Sequence, residues 1–177
     1  EKASFPVSEN VHIHHFLHSS TAPAPISESI AQQAHTLAEQ LADTLEVVGL
    51  LAVEFFLTQD DQLIVNEMAP RPHNSGHYTI DACHTSQFQQ HIRAITGLPM
   101  GKTDTHTPAV MINILGDLWS ETPPPWNILF KNPSTQLHLY DKGEARKGRK
   151  MGHYTVLDAN LSLAKKEAEA LFLELKG

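Results

Sequence analysis

At 177 residues, with 41% hydrophobic and 19% charged residues, the chain is long enough for one sizeable core or two small ones and is neither disordered nor collagen-like. Thirteen Lys and Arg against twenty Asp and Glu leave a net charge of −7, which argues against a general nucleic-acid binder. The single cysteine, Cys83, excludes an internal disulfide framework and a Cys-rich zinc module, and no apolar run approaches the roughly 20 residues that cross a bilayer. With no signal-peptide pattern, the expected setting is reducing and cytoplasmic. The first residue is Glu, and strand-like sequence follows at once, so the chain reads as a piece of a longer polypeptide.

In chain order, Val11 to Leu17 reads as a strand, with His12, His14, His15 and His18 crowded into it. Ser19 to Pro25 reads as a loop. Ser27 is placed to cap a helix whose Ile30, Ala34, Leu37, Leu41 and Leu45 recur at helical spacing. The nearly continuous apolar run Val47 to Leu57 predicts a buried strand, and Gln59-Asp60-Asp61-Gln62 turns it into a returning strand, Leu63 to Met68. A loop, Ala69 to Ala82, leads to a second helix with a capping-box pattern, Ser86-x-x-Gln89, expected to carry Phe88, Ile92 and Ile95 inward. The polar stretch Gly101 to Thr107 marks a change of character. Strands at Ala109 to Leu115, Thr135 to Tyr140 and His153 to Leu157 follow, with a Pro-rich segment and a basic loop between them. A last helix, Leu161 to Leu175, is expected to bury Leu163, Leu171 and Leu175. The layout is mixed helix and strand, antiparallel in its first half.

Two carboxylates give the first chemical signal. If the hairpin turns symmetrically about Asp60-Asp61, opposed residues sum to 121, and Glu54 and Glu67 face each other with Cβ atoms roughly 4.5–5.5 Å apart. Like charges so placed in apolar sequence require a shared proton, a basic neighbour or a divalent cation. Carboxylate oxygens suit Mg²⁺, which commonly brings phosphates with it. A slip of one residue would instead put the two glutamates on opposite faces. Directly after Glu67 comes Met68-Ala69-Pro70-Arg71-Pro72-His73-Asn74-Ser75-Gly76-His77, a loop stiffened by two prolines. There Arg71 can bind carboxylate or phosphate, and His73 can move a proton near neutral pH. An ordinary surface loop would also accommodate these residues.

Gly49-Leu50-Leu51-Ala52-Val53-Glu54-Phe55-Phe56, Asn66 through His77, Ser86-Gln87-Phe88, Arg93 through Pro99, Tyr140-Asp141-Lys142 and Arg146 through His153 together resemble the 5-(carboxyamino)imidazole ribonucleotide synthase family of ATP-grasp ligases. The resemblance covers nearly the whole chain. It implies an α+β fold: the carboxy-terminal half of an ATP-grasp domain over residues 1–103, an antiparallel sheet with helices on one face, then a small β-rich domain over residues 104–177. It also implies ATP- and bicarbonate-dependent carboxylation of 5-aminoimidazole ribonucleotide in purine biosynthesis, by way of carboxyphosphate. Glu54 and Glu67 would hold Mg²⁺, or Mn²⁺ in its place, and His12, Asn66 and Glu67 would meet the nucleotide. Asn66 has the wrong parity for Glu67's face, so the strand must end or bulge there. Arg71, His73 and Lys142 take the catalytic roles. Asn74, Ser75, Arg149 and Lys150 take the substrate-binding ones.

Residues 141–150 hold five basic and two acidic side chains, a local +3 that leaves −10 for the rest of the chain, which suits a small anionic substrate. Lys147 stands where the family usually has Pro and should loosen this basic loop. The partners implied are ATP, bicarbonate and 5-aminoimidazole ribonucleotide, with no nucleic acid and no membrane, and a homodimer for the full-length protein. The amino-terminal portion of the family is absent, so the segment alone is expected to be inactive. Another ATP-grasp ligase of purine metabolism, or a non-catalytic nucleotide-binding module, is the alternative. His12, His14, His15 and His18 could share a metal, Cys83 reads as a packing residue, and Trp119 and Trp126 read as core or interface anchors.

Overall fold

Strands and helices follow one another as β1 (Glu9–Ile13), β2 (Phe16–Ala22), α1 (Glu28–Thr44), β3 (Ala52–Leu57), β4 (Leu63–Ala69), α2 (Thr79–Ala82), α3 (Gln87–Ile95), β5 (Ala109–Leu115), β6 (Thr135–Leu139), β7 (Lys150–Leu157) and α4 (Leu161–Lys176). The structure is a computed structural model and describes residues 1–119 and 122–177. It divides into two units, Glu1–Glu9 with Ala22–His106, and Asn10–Thr21 with Thr107–Gly177. No helix among the described residues is long and apolar enough to cross a membrane.

In the first unit, α1 starts where Ser27 Oγ accepts from the Ile30 N–H at 3.3 Å, and it buries Ile30 and Ala34. β3 and β4 form an antiparallel two-stranded sheet. Helix α3 opens with the full capping box, Ser86 and Gln89 each satisfying the other's backbone N–H. Two expectations fail here. The hairpin is not buried: Phe56 is 60% exposed, and Leu57, Ile64, Val65 and Met68 are exposed as well. Nor does α3 turn Phe88, Ile92 and Ile95 inward; all three are exposed, and its buried residues are Gln87 and Gln90. The reason is hydrogen bonding. The Gln90 amide brackets Gly101, donating to its carbonyl at 2.7 Å and accepting from its N–H at 2.9 Å, so the polar edge of the helix faces inward. Cys83 is buried, and burial pushes its thiol up to about 12, as suits a packing residue.

The second unit is built on a five-stranded sheet ordered β1-β2-β5-β7-β6, with β7 antiparallel to both β5 and β6. Alternate residues Val110, Ile112 and Ile114 of β5, and Tyr154 and Val156 of β7, form a core with Leu129 and the α4 residues Ala164, Ala168, Leu171 and Leu175. The Tyr154 hydroxyl is satisfied by the Ala168 carbonyl at 2.7 Å. Leu163 was expected in this core and is 54% exposed, because it lies one position off the stripe 164, 168, 171, 175. Trp119 and Trp126 meet edge to face at 5.2 Å and pack against the same core.

The His-rich segment is a hairpin and not one strand. His14 and His15 have φ of +49° and +69° and form the two-residue turn between β1 and β2. Ser19 to Ala22, expected as loop, continues β2 and is buried. The turn scatters the histidines. His12 is exposed on β1, whereas His18 Nε2 lies 3.0 Å from Glu169 Oε1. Among the described residues these histidines do not assemble into a metal-binding group.

Candidate functional site

The hairpin loop determines which residues oppose each other. Thr58 and Gln62 close a three-residue loop, with Asp61 at φ +59°, and the ladder next to it pairs Leu57 with Leu63, Phe56 with Ile64 and Phe55 with Val65. These pairs sum to 120, one less than a symmetric turn about Asp60-Asp61 requires. Continued unbroken, that register would put Asn66 opposite Glu54. An irregularity between Glu54 and Phe55 leaves Asn66 as the extra residue, and the ladder resumes with Glu54 opposite Glu67. The bulge expected at Asn66 is therefore what brings the two glutamates into register. Glu67 and Asn66 are more exposed than the sequence implies, whereas the Glu54 side chain is 16% exposed. Glu54 Oε1 lies 3.8 Å from His73 Nδ1. Two opposed carboxylates supply oxygen donors of the kind that fit Mg²⁺.

β4 ends at Ala69, and the loop it feeds is held from several sides. Arg71 is exposed and donates from Nη1 to the Pro72 carbonyl at 3.0 Å. His73 caps a single 3₁₀ turn, Asn74–Gly76: its Nδ1 accepts from the Ser75 N–H and lies 2.8 Å from Ser75 Oγ. With Nδ1 accepting, the ring proton belongs on Nε2. Asn74 and Ser75 lie in that 3₁₀ turn, half-buried. Behind the loop stands a residue that sequence reasoning passed over, Gln87. Its side chain bonds both backbone groups of His73 and its N–H donates to Thr79 Oγ1 at 3.0 Å. The available signal was a glutamine at the first helical position beside a capping serine, masked by the apolar stripe next to it.

His12, Lys142, Arg149 and Lys150 belong to the second unit. Lys142 Nζ sits 5.2 Å from the centroid of the Tyr140 ring. The Tyr140 hydroxyl lies 2.6 Å from His153 Nδ1, and burial pushes its phenol up to about 12. The basic loop carries hydrogen bonds on both sides of Lys147. The Gly148 N–H donates to Asp117 Oδ2 at 2.6 Å, the Gly116 N–H donates to the Arg149 carbonyl at 2.8 Å, and Arg149 Nη1 donates to the Glu144 carbonyl at 3.1 Å. Gly116 is required by this packing, because a Cβ there would lie 2.2 Å from the Arg146 carbonyl oxygen. Lys150 starts β7 opposite Leu115. The structure thus gathers Glu54, Asn66, Glu67, Arg71, His73, Asn74 and Ser75 on one hairpin and its loop, and Lys142, Arg149 and Lys150 on another.

Residues 1–88 match the ATP-grasp domain model, and residues 109–167 match that of the phosphoribosylaminoimidazole carboxylase C-terminal domain. The chain is 53% identical over 160 residues to N5-carboxyaminoimidazole ribonucleotide synthase of Bacillus subtilis, covering 89% of this chain and 40% of that protein. The same-named protein of Brucella melitensis is 50% identical over 153 residues, with 86% and 41% covered. Among solved structures, N5-carboxyaminoimidazole synthase of Aspergillus clavatus in complex with ADP and 5-aminoimidazole ribonucleotide superimposes with a TM-score of 0.89 at 35% identity, over 97% of this chain and 46% of that one. The chain therefore spans about two fifths of the length of these two curated relatives.

Proposed function

Because the chain belongs to the N5-carboxyaminoimidazole ribonucleotide synthase family, with part of an ATP-grasp domain ahead of a phosphoribosylaminoimidazole carboxylase C-terminal domain, we propose that the full-length protein uses ATP and bicarbonate to carboxylate 5-aminoimidazole ribonucleotide. The observation that carries this reading is the register of Glu54 on Glu67, delivered by the Asn66 bulge at the mouth of the Arg71–His77 loop. Glu54 and Glu67, with Asn66, would hold Mg²⁺, which would neutralise charge on the phosphates of the nucleotide. A bicarbonate oxygen takes the γ-phosphoryl group, giving carboxyphosphate and ADP. The exocyclic amine then attacks the carboxyl carbon, the C–N bond forms as phosphate leaves, and one proton is released. Arg71 offers its fork of donors to the bicarbonate-derived anion, and His73, carrying its proton on Nε2, sits at the right place in the sequence to exchange a proton there. Lys142 acts at the ribonucleotide phosphate or the carboxylating centre with Arg149 and Lys150, which bind the substrate, and His12, Asn74 and Ser75 complete the nucleotide and substrate contacts.

Residues 1–103 supply the ATP-grasp portion and residues 104–177 the terminal domain, a division supported by where the two family matches fall. The same reading takes the full-length protein to be a cytoplasmic homodimer. A panel of amine-bearing purine intermediates, each given to the full-length protein with Mg-ATP and labelled bicarbonate, tests the reading. Label should enter 5-aminoimidazole ribonucleotide alone. Incorporation into a different intermediate would assign another ligase, and nucleotide binding with no incorporation would leave a binding module.

A further inference from the structure

Gln87 is 2% exposed and is the first residue of α3. Its Oε1 accepts from the His73 N–H at 2.9 Å, and its Nε2 donates to the His73 carbonyl at 2.8 Å. The second Nε2 hydrogen points at His77 Nδ1, 2.9 Å away. One amide therefore satisfies both backbone groups of His73, as a neighbouring strand would, and also fixes a second imidazole. Its orientation is determined, since a flipped amide would set NH₂ against the His73 N–H. The anchorage continues through the Gln87 N–H to Thr79 Oγ1 at 3.0 Å and from that hydroxyl to the Gly76 carbonyl at 2.6 Å. Gly76 belongs to the same device, because a Cβ there would lie 2.7 Å from Gln87 Oε1 and 2.9 Å from its Cδ.

We propose that Gln87 is a positioning residue for the carboxyl-transfer end of the reaction, fixing the backbone of His73 and with it the aim of Arg71 and His73. The inference rests on the carboxylation reading above. These Gln87 hydrogen bonds run to His73, His77 and Thr79 and none runs to Glu54, Asn66 or Glu67. The metal pair meets this anchor only through His73, whose Nδ1 lies 3.8 Å from Glu54 Oε1, so loosening it should misplace the groups that hold the activated carboxyl more than it disturbs the two carboxylates. A misplacement of about 1 Å at a reacting centre costs on the order of a hundredfold in rate. Carboxyphosphate held in the wrong place would meet water before the amine, so ADP would form without product.

The test is made in the full-length protein by measuring ADP and carboxylated ribonucleotide together, for wild type, Gln87→Met and Gly76→Ala. In wild type the two should form one for one. In both variants product formation should fall roughly ten- to a hundredfold while the KM for ATP stays within about twofold, so that the ratio of ADP to product rises. A merely structural role would lower ADP and product together at an unchanged ratio, and that result would overturn the inference. If Gln87→Met does not fold, Gly76→Ala decides alone, since its methyl displaces the amide without removing it. A wild type that makes no carboxylated product overturns the carboxylation reading and the inference with it. A wild type that couples, with variants that couple equally well, overturns the inference alone.

Discussion

Replacing Glu67 with Gln should stabilise the chain when divalent cations are chelated and leave it less stable than wild type when Mg²⁺ is bound. Glu54 and Glu67 are ladder partners, which sets their charges about 5 Å apart. Glu67 is exposed and the Glu54 side chain is 16% exposed, so the dielectric of water sets a lower bound, at which two unit charges at that distance repel by about 0.8 kcal/mol. Physiological salt, with a Debye length of about 8 Å, cuts this to about 0.4 kcal/mol. In chelator the variant should therefore gain at least about 0.4–0.8 kcal/mol, the larger figure at low salt. Mg²⁺ at ten times its dissociation constant adds about 1.4 kcal/mol to wild type and little to a variant that lacks one carboxylate, so the order reverses. Denaturant unfolding in chelator and in Mg²⁺, each at low and physiological salt, measures all four states. A loss of stability in chelator would refute the reasoning, because it would show that Glu67 makes a favourable contact and is not held against a like charge.

The second-unit core can be tested by a pair of truncations: Leu171→Ala should cost about 2–5 kcal/mol, whereas Leu163→Ala, on the exposed side of α4, should stay within about 0.5 kcal/mol by denaturant unfolding. All three tyrosines, Tyr78, Tyr140 and Tyr154, have phenol pKa values raised by burial. Stability should therefore be flat in this respect below pH 10, where the unfolded phenols begin to ionise, and fall as pH rises from 10 toward 12. Phenolate absorbance should appear only together with loss of circular dichroism, and its appearance at pH 10 in a folded chain would contradict the burial. Gly116→Ala drives a methyl into the Arg146 carbonyl oxygen and should destabilise by about 1–3 kcal/mol in thermal unfolding.

What could be read in the sequence was what depends on near neighbours. Ser27 and Ser86 announce helix starts through their own side-chain bonds, and the pairing of Glu54 with Glu67 could be reached from the spacing of a hairpin. Even that pairing arises differently from the symmetric-turn argument, since the loop and the Asn66 bulge each shift the register by one residue in opposite senses. The parity of Asn66 pointed to the bulge, but nothing local pointed to the three-residue loop. The turn at His14-His15 was missed because two adjacent left-handed residues are normally signalled by Asn or Gly. Helix α3 misled for a different reason. An apolar stripe reports which residues share a face and not whether anything covers it, and here Gln87 and Gln90 win the inward side by satisfying backbone groups of His73 and Gly101. Partners distant in sequence settle that competition.

The most direct measurement is ADP release by the full-length protein in Mg-ATP and bicarbonate, with and without 5-aminoimidazole ribonucleotide, for wild type, Glu54→Gln and Glu67→Gln. The account predicts release that requires the ribonucleotide and falls by about a hundredfold or more in each variant, since each removes one of the two opposed carboxylates. Release that ignores the ribonucleotide, or that survives both substitutions, would contradict it.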